Sequence, residues 1–208
     1  MTFGFTIIYI LILLLSVVIH ELAHGYTAYW LGDPTAKLQG RLTLNPIKHL
    51  DWFGSIIVPA FLILAHSPFL IGWAKPVPFN PYNFKKMRRW GEALVAVAGP
   101  LSNIALALLM VGLGKIFVAI LPDPTIALQI FSMTALLNIA LALFNLIPVP
   151  PLDGHHILFA LLPVRWEAFK QHLRRWSILL FMLVLLFIWP AISNGIYFIF
   201  QAFWGIFF

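Results

Sequence analysis

The chain has 208 residues, of which 62% are hydrophobic and 10% charged, and its mean hydropathy is +0.95. A soluble domain of this size could not bury that much apolar surface, so one integral-membrane domain over 1–208 is predicted. The absence of cysteine excludes disulfides and thiolate metal ligands. The net charge of +6 indicates membrane topology and no nucleic-acid partner, because the basic residues lie between apolar runs.

The first apolar run, about Gly4 to Tyr29, contains His20-Glu21-Leu22-Ala23-His24. Histidines four residues apart lie one turn apart on a helix, so their rings can converge on one metal ion. Glu21 is expected to face the open position of that metal as a general base, which is typical of zinc peptidases. A chance polar helix end is disfavoured, because these groups follow an uncharged run and are costly to bury. The run leads directly into this motif, so we do not expect it to be a cleaved signal peptide.

A polar connector, 33–51, follows the first span, and its alternation at 37–44 around Gly40 favours a short strand or hairpin. The next apolar stretch, 53–65, is short and contains a glycine and a proline. The stretch 72–81 holds three prolines, which favour an extended strip over a helix.

Two further spans are predicted at about 93–121 and 125–146, and an irregular Pro-rich stretch follows at 145–154. The last run, 176–208, is long and interrupted at Pro190 and Gly195, so it is either one kinked helix or a helical hairpin. The expected fold is therefore an all-α polytopic membrane protein. It has about four to six membrane-embedded helical segments, a short strand or hairpin and a re-entrant segment.

Charge asymmetry predicts the orientation. Every Lys and Arg except Lys115 lies within 33–51, 75–89 or 165–175, and these loops are expected on the cytoplasmic side. This arrangement requires 53–71 to enter and leave the membrane from the same side. A full crossing, which would place 75–89 outside, is the less favoured alternative.

A third metal ligand must come from another part of the chain. Asp153 follows the span that ends near Leu146, on the same membrane side as His24, and can complete a His₂Asp site. His155 and His156 compete with it, although adjacent histidines more often support a ligand or cap a helix. Asn145 either bonds to a neighbouring helix or donates to an oxyanion. The remaining candidates are interpreted as turn or cap residues (Asp33, Asp51, Asp123) and as interfacial residues (His49, His66, His172).

These residues also carry a family resemblance. His20-Glu21-x-x-His24, followed by Asn145-Leu146-x-Pro148-x-x-Pro151-x-Asp153-Gly154, resembles the site-2 proteases, a family of intramembrane zinc metalloproteases. Gly99-Pro100-Leu101-Ser102-Asn103 resembles the Gly-Pro element between the two motifs of that family. Three further stretches resemble a compact bacterial and archaeal branch without a PDZ or CBS domain: 33–37, 40–46 and 72–78.

The resemblance implies one Zn²⁺ held by His20, His24 and Asp153, with Glu21 as base and Asn145 as a polar group near the reacting carbonyl. It implies cleavage within or near transmembrane helices of membrane-protein substrates. The protein would be a multi-pass protein of the cell membrane, in contact with the lipid bilayer, with its site near the cytoplasmic side. An unwound substrate could add as a strand to 37–44 or 72–81.

Two other classes of function remain open from the sequence. One is a catalytically silent zinc-binding membrane protein, and the other is an ion- or proton-translocating membrane protein. Glu21 beside the first histidine favours the peptidase over both, because neither alternative requires a base at that position. The sequence does not predict the substrate or the oligomeric state.

Overall fold

A computed structural model describes residues 3–65, 72–87 and 89–207. Its helices account for nearly all regular structure, which confirms an all-α polytopic fold. In chain order they are α1 (Phe3–Leu31), α2 (Thr35–Leu38), α3 (Val58–Leu64), α4 (Gly91–Ile120), α5 (Thr125–Asn145), α6 (Gly154–Leu161), α7 (Glu167–Arg175), α8 (Ser177–Leu183) and α9 (Trp189–Phe207).

Three of these helices, α1, α4 and α5, are each long and apolar enough to cross a membrane. The short connector between α4 and α5 makes them antiparallel neighbours, and α4 also packs along α1. A buried apolar cluster joins α4, α5 and α9. The spans predicted at 93–121 and 125–146 are therefore confirmed to within about two residues at each end.

The strand predicted at 37–44 is wrong. The carboxylate of Asp33 accepts hydrogen bonds from the backbone N–H and the hydroxyl of Thr35, and α2 begins there. Gly40 then turns the chain with a φ of +63°. In the part of the chain that the structure describes, the one β pairing is an isolated antiparallel bridge between Leu50 and Ala74.

That bridge brings together the two stretches on either side of 53–71. A π-helical segment, Trp52–Ile57, continues into α3, and the two together are about 20 Å long, well short of the bilayer core. The flanks meet: Leu50 pairs with Ala74, and the N–H of Lys75 donates to His49 O at 2.8 Å. Both flanks therefore lie at the same end of the bundle, as re-entry requires and a full crossing forbids. Residues 66–71 lie outside the described residues, and so does His66.

The last run is one helix and not a hairpin. Helices α8 and α9 are joined by a π-helical segment, Val184–Ile188, so the helical backbone continues from Ser177 to Phe207. Pro190 lies two residues after this segment and has no backbone N–H to donate, and such a residue commonly disturbs the hydrogen-bond ladder of the preceding turn. Of the two alternatives left open by the sequence, one kinked helix or a helical hairpin, the structure has a single continuous helix.

The C-terminal end of α1 packs against the start of α4 and the residues before it. Ala28 and Leu31 of α1 pack with Phe84 and with Val95 of α4 in a fully buried cluster. The backbone N–H groups of residues 85 and 86 both donate to Leu31 O. This junction places the C-terminal half of α1 beside the first turns of α4.

Candidate metal centre

Three side chains converge where α1, α4 and the segment after α5 meet. His20 and His24 are 7% and 8% exposed, and their Nε2 atoms are 3.0 Å apart. Asp153 Oδ2 is 3.1 Å from Nε2 of His20 and 3.2 Å from Nε2 of His24. The three ligand-type atoms thus form a nearly equilateral triangle. The sequence predicted these same three residues as a set, and the structure brings them together.

The triangle has the dimensions of one face of a zinc tetrahedron. Metal–ligand distances of about 2.0–2.1 Å at the tetrahedral angle put neighbouring ligand atoms about 3.3 Å apart. Asp153 Oδ2 is buried and accepts no hydrogen bond from the described residues. Such a buried carboxylate oxygen is costly unless a cation satisfies it. The residues present therefore fit a divalent metal ion.

The outer nitrogens of both rings are held by acceptors. His24 Nδ1 donates to Val95 O at 2.6 Å, and His20 Nδ1 donates to Asn103 Oδ1 at 2.5 Å. A proton on each Nδ1 leaves a lone pair on each Nε2. Two lone pairs and a carboxylate oxygen then face one another, an arrangement that a cation at the centre of the triangle would stabilise.

Two glycines permit close packing of the chain at the metal centre. A Cβ at Gly99 of α4 would overlap Nε2 of His24 and the ring of His20. A Cβ at Gly154 would overlap the backbone oxygens of Leu146 and Ile147. Glycine at these positions lets α4 lie against the histidines and lets the chain fold back so that Asp153 reaches them.

Glu21 is held by a backbone amide. Its Oε2 accepts a hydrogen bond of 2.7 Å from the N–H of Val77, which lies in segment 74–80, a stretch without helix. Arg41 anchors the same segment, because its Nη2 donates to Lys75 O at 2.7 Å and to the next carbonyl at 3.3 Å. The carboxylate is thereby oriented, and its Oε1 accepts no hydrogen bond from the residues that the structure describes.

Asp33 anchors the far end of segment 74–80. It is fully buried and accepts hydrogen bonds from the N–H of Asn80 (2.6 Å), the amide of Asn83 (2.8 Å), and Thr35. Burial alone would raise the pKa of this carboxyl, but the four hydrogen bonds, from Asn83, Thr35 and Asn80, hold the pKa below its usual value. Asp33 is a turn residue, as predicted, and it also joins α1 to segment 74–80.

The sequence profile of Peptidase family M50 matches residues 8–122 and 118–188. The chain belongs to peptidase family M50. This is the site-2 protease family that the sequence resembles, and it is a family of metalloproteases.

Several relatives of this M50 peptidase carry names that assign them provisionally as zinc metalloproteases. YwhC of Bacillus subtilis (strain 168) is 42% identical over 197 residues, covering 89% of this chain and 86% of the relative. Rip2 of Mycolicibacterium smegmatis is 29% identical over 183 residues, covering 87% of this chain and 66% of the relative. Rip2 of Mycobacterium tuberculosis (strain H37Rv) is 31% identical over 187 residues, covering 89% and 68%. No solved structure matches the chain significantly.

The other residues that the sequence suggested for the site lie outside the triangle of ligand-type atoms. His155 Nδ1 donates to Leu152 O and His156 Nδ1 to Glu92 Oε2, at 2.6 and 3.2 Å. The amide of Asn145 donates to Leu141 O in its own helix at 3.0 Å. Asp51 and Asp123 cap the turns that follow them, as predicted. His49, expected at the interface, is instead 2% exposed and bonded to Thr43 O.

The sequence analysis predicted no role for three buried polar residues near the centre. Asn103 contacts His20 directly, and behind it lie Asn138 of α5 and Ser16 of α1, all with no exposed surface. Asn103 ends the Gly-Pro element of the family resemblance, and otherwise the sequence signal for these residues is a polar side chain within an apolar span. Such a residue usually bonds to a neighbouring helix, and no spacing rule indicates which one.

Proposed function

We propose that the chain is an intramembrane zinc metalloprotease that hydrolyses peptide bonds within or near transmembrane helices of membrane-protein substrates. The observation that carries the proposal is the triangle of His20, His24 and Asp153, whose ligand-type atoms lie 3.0–3.2 Å apart. Glu21 adjoins His20 in α1. Membership of a metalloprotease family supports the reaction class.

Zinc fits the donor set best. Two imidazoles and one carboxylate are common ligands of catalytic zinc, and such a site keeps a fourth position open for water or substrate. The names of the relatives also refer to zinc. When bound, Zn²⁺ supplies Lewis-acid activation of water and of the peptide carbonyl.

The remaining chemistry belongs to the chain. Glu21 takes a proton from the attacking water and passes it to the leaving amine. The N–H of Val77 fixes one oxygen of this carboxylate and leaves Oε1 for proton transfer. Asn145 uses one amide hydrogen within its own helix, so its second amide hydrogen is the one assigned to the oxyanion.

Location follows from the ends of the helices. The candidate ligands lie in the C-terminal half of α1 and just beyond the C-terminal end of α5, and they meet the first turns of α4. The basic loops 33–51, 75–89 and 165–175 flank these same helix ends, and by the positive-inside rule this supports a site near the cytoplasmic face of the cell membrane.

The substrate must reach this site as an unwound segment, because the carbonyls of a helix are bonded internally. Addition of a substrate strand at 37–44 is no longer supported, because that stretch consists of the end of α2 and turns. In segment 74–80, backbone groups of residues 75, 76, 77 and 80 already bond to other parts of the chain. An open groove of about 580 Å³ between α1, residues 42–44 and Ser102 supports an approach along this face of α1.

Replacement of Glu21 by glutamine tests the proposal. Glu21→Gln keeps the size of the side chain and removes the base, so zinc content should be unchanged and cleavage should fall about a hundredfold or more. The assay is cleavage of a transmembrane substrate with a destabilised helix in liposomes, with zinc measured on the same preparation.

Glu167→Gln, on the exposed side of α7, is the matched control and should cleave normally. Cleavage by the Glu21→Gln protein at the wild-type rate would refute the peptidase mechanism. A silent zinc-binding protein or an ion-translocating protein would show no cleavage with either side chain.

A further inference from the structure

A chain of buried hydrogen bonds leads from His20 into the centre of the bundle. His20 Nδ1 donates to Asn103 Oδ1 of α4, and Asn103 Nδ2 donates to Asn138 Oδ1 of α5 at 2.7 Å. Asn138 Nδ2 then donates to Ser16 Oγ of α1 and to Thr134 O, both at 2.9 Å. Ser16, Asn103 and Asn138 have no exposed surface. We call these hydrogen bonds the amide relay.

The direction of the amide relay is set at its far end. An asparagine amide has an accepting and a donating end of nearly the same shape, so its contacts determine which way it faces. Thr134 O is a backbone carbonyl and can only accept, so the nitrogen of Asn138 must face it. The oxygen of Asn138 then faces Asn103, which turns the nitrogen of Asn103 towards Asn138 and its oxygen towards His20.

This direction has a consequence for the metal centre. An oxygen facing His20 Nδ1 requires the proton on Nδ1, which leaves Nε2 free to bind a metal ion. A reversed Asn103 would present its nitrogen, favour the proton on Nε2 and remove that lone pair. His24 needs no relay, because Val95 O accepts from its Nδ1 directly.

We propose that Asn138 is a positioning residue that fixes the amide of Asn103 and so keeps His20 in the tautomer that binds metal. The inference rests on the proposed zinc site. It means that a residue outside the metal centre controls how tightly His20 binds the metal. Loss of a supporting residue behind a metal-bound histidine typically weakens metal affinity about 10- to 100-fold, so that factor is expected for Asn138→Leu.

The test is a double-mutant cycle on zinc affinity, measured by competition with a chelator in detergent and by the visible spectrum of the Co²⁺-loaded protein. Aspartate at 103 has two accepting oxygens and no direction to set. Asn138→Leu should therefore weaken zinc binding when residue 103 is Asn, and should have little effect in the Asn103→Asp protein. Thr134→Val is the control, because it removes only a hydroxyl bonded to Ile130 O and leaves the carbonyl that orients Asn138.

Each outcome has a defined meaning. Wild-type affinity in Asn138→Leu overturns the inference, and so does an equal loss in both backgrounds, because a purely structural residue would not depend on residue 103. If Asn138→Leu does not fold, Asn138→Ser takes its place: a hydroxyl can donate or accept, so it also loses the direction and should show the same dependence. A wild-type protein that binds no zinc would refute the proposed function as well, whereas the other outcomes would leave the proposed function standing.

Discussion

At the scale of single residues, Asp153 differs from the two histidines that follow it in what already holds its side chain. Its Oδ2 accepts no hydrogen bond from the described residues and faces His20 and His24. His155 and His156 are each tied through Nδ1 to an acceptor outside the triangle. A metal ion at the triangle would therefore recruit Asp153 without breaking a hydrogen bond.

Metal analysis of three variants checks this assignment. Asp153→Ala removes one corner of the triangle, so zinc content after dialysis should fall to a small fraction of the wild-type value. His155→Ala and His156→Ala should keep most of the metal, because neither ring lies in the triangle. A zinc-loaded Asp153→Ala protein beside a metal-free His155→Ala protein would show that the ligand is misassigned.

At the scale of elements, segment 74–80 determines where the carboxylate of Glu21 stands. The segment contains no helix and has only one isolated β-bridge, at Ala74, so its position depends on that pairing and on the hydrogen bonds from Arg41 and to Glu21 and Asp33. Asp33 is buried and holds several donors at once. Its loss would leave those donors unsatisfied far from bulk water.

The chain offers a matched pair for testing this anchor, because Asp-Pro-Thr occurs at 33–35 and again at 123–125. Asp33→Asn should lower the free energy of unfolding by about 2–3 kcal/mol, since hydrogen bonds to a buried charged group are lost. Cleavage should fall while zinc content stays unchanged, because the triangle is untouched. Asp123→Asn, in an exposed turn, should change neither stability nor cleavage. Equal effects at the two positions, in thermal unfolding and in the cleavage assay, would contradict the anchoring role.

The same carboxyl predicts a pH dependence. The pKa of Asp33 in the folded protein lies below its usual value of 3.8, so the unfolded chain binds the proton more tightly. Its stabilising effect is complete well above pH 3.8 and is lost as the pH falls through the lower, folded pKa. The difference in unfolding temperature between wild type and Asp33→Asn should therefore shrink on acidification.

The sequence predicted those parts of the site that depend on the local spacing of residues. His20, Glu21 and His24 share one helical turn, and the break after α5 indicated Asp153 as a third residue near them. The amide relay was not predictable, because His20 and Asn103 are 83 residues apart and their contact depends on how two helices are rotated about their axes. Alternation at 37–44 suggested a strand, but the hydrogen bonds of Asp33 to Thr35 start a helix there.

At the scale of the whole molecule, re-entry of 53–71 would make the charge pattern consistent. Because Leu50 and Ala74 pair, the loops before and after 53–71 lie at one end of the bundle. Helices α4 and α5 then form a hairpin that leaves that end and returns to it. The connector 121–124, which has no basic residue, is the part of this hairpin farthest from the basic loops.

Single cysteines in this cysteine-free chain test that topology. Residues 48, 86 and 171 are exposed positions in or beside the three basic loops, and 123 is exposed at the opposite end. In intact cells an impermeant thiol reagent should label only the cysteine at 123, whereas permeabilised cells should label all four. Labelling at 86 in intact cells would show that 53–71 crosses the membrane.

The centre links two parts of the chain that are far apart in sequence, the C-terminal half of α1 and the irregular stretch after α5. Metal bound there would stabilise only the folded state, and a hundredfold excess of free metal over its dissociation constant adds about 2.7 kcal/mol. That is a considerable part of the stability of an ordinary domain. Zinc supply would thus govern the abundance of the protein as well as its activity: newly made chains in a zinc-starved cell would unfold more often and be degraded sooner.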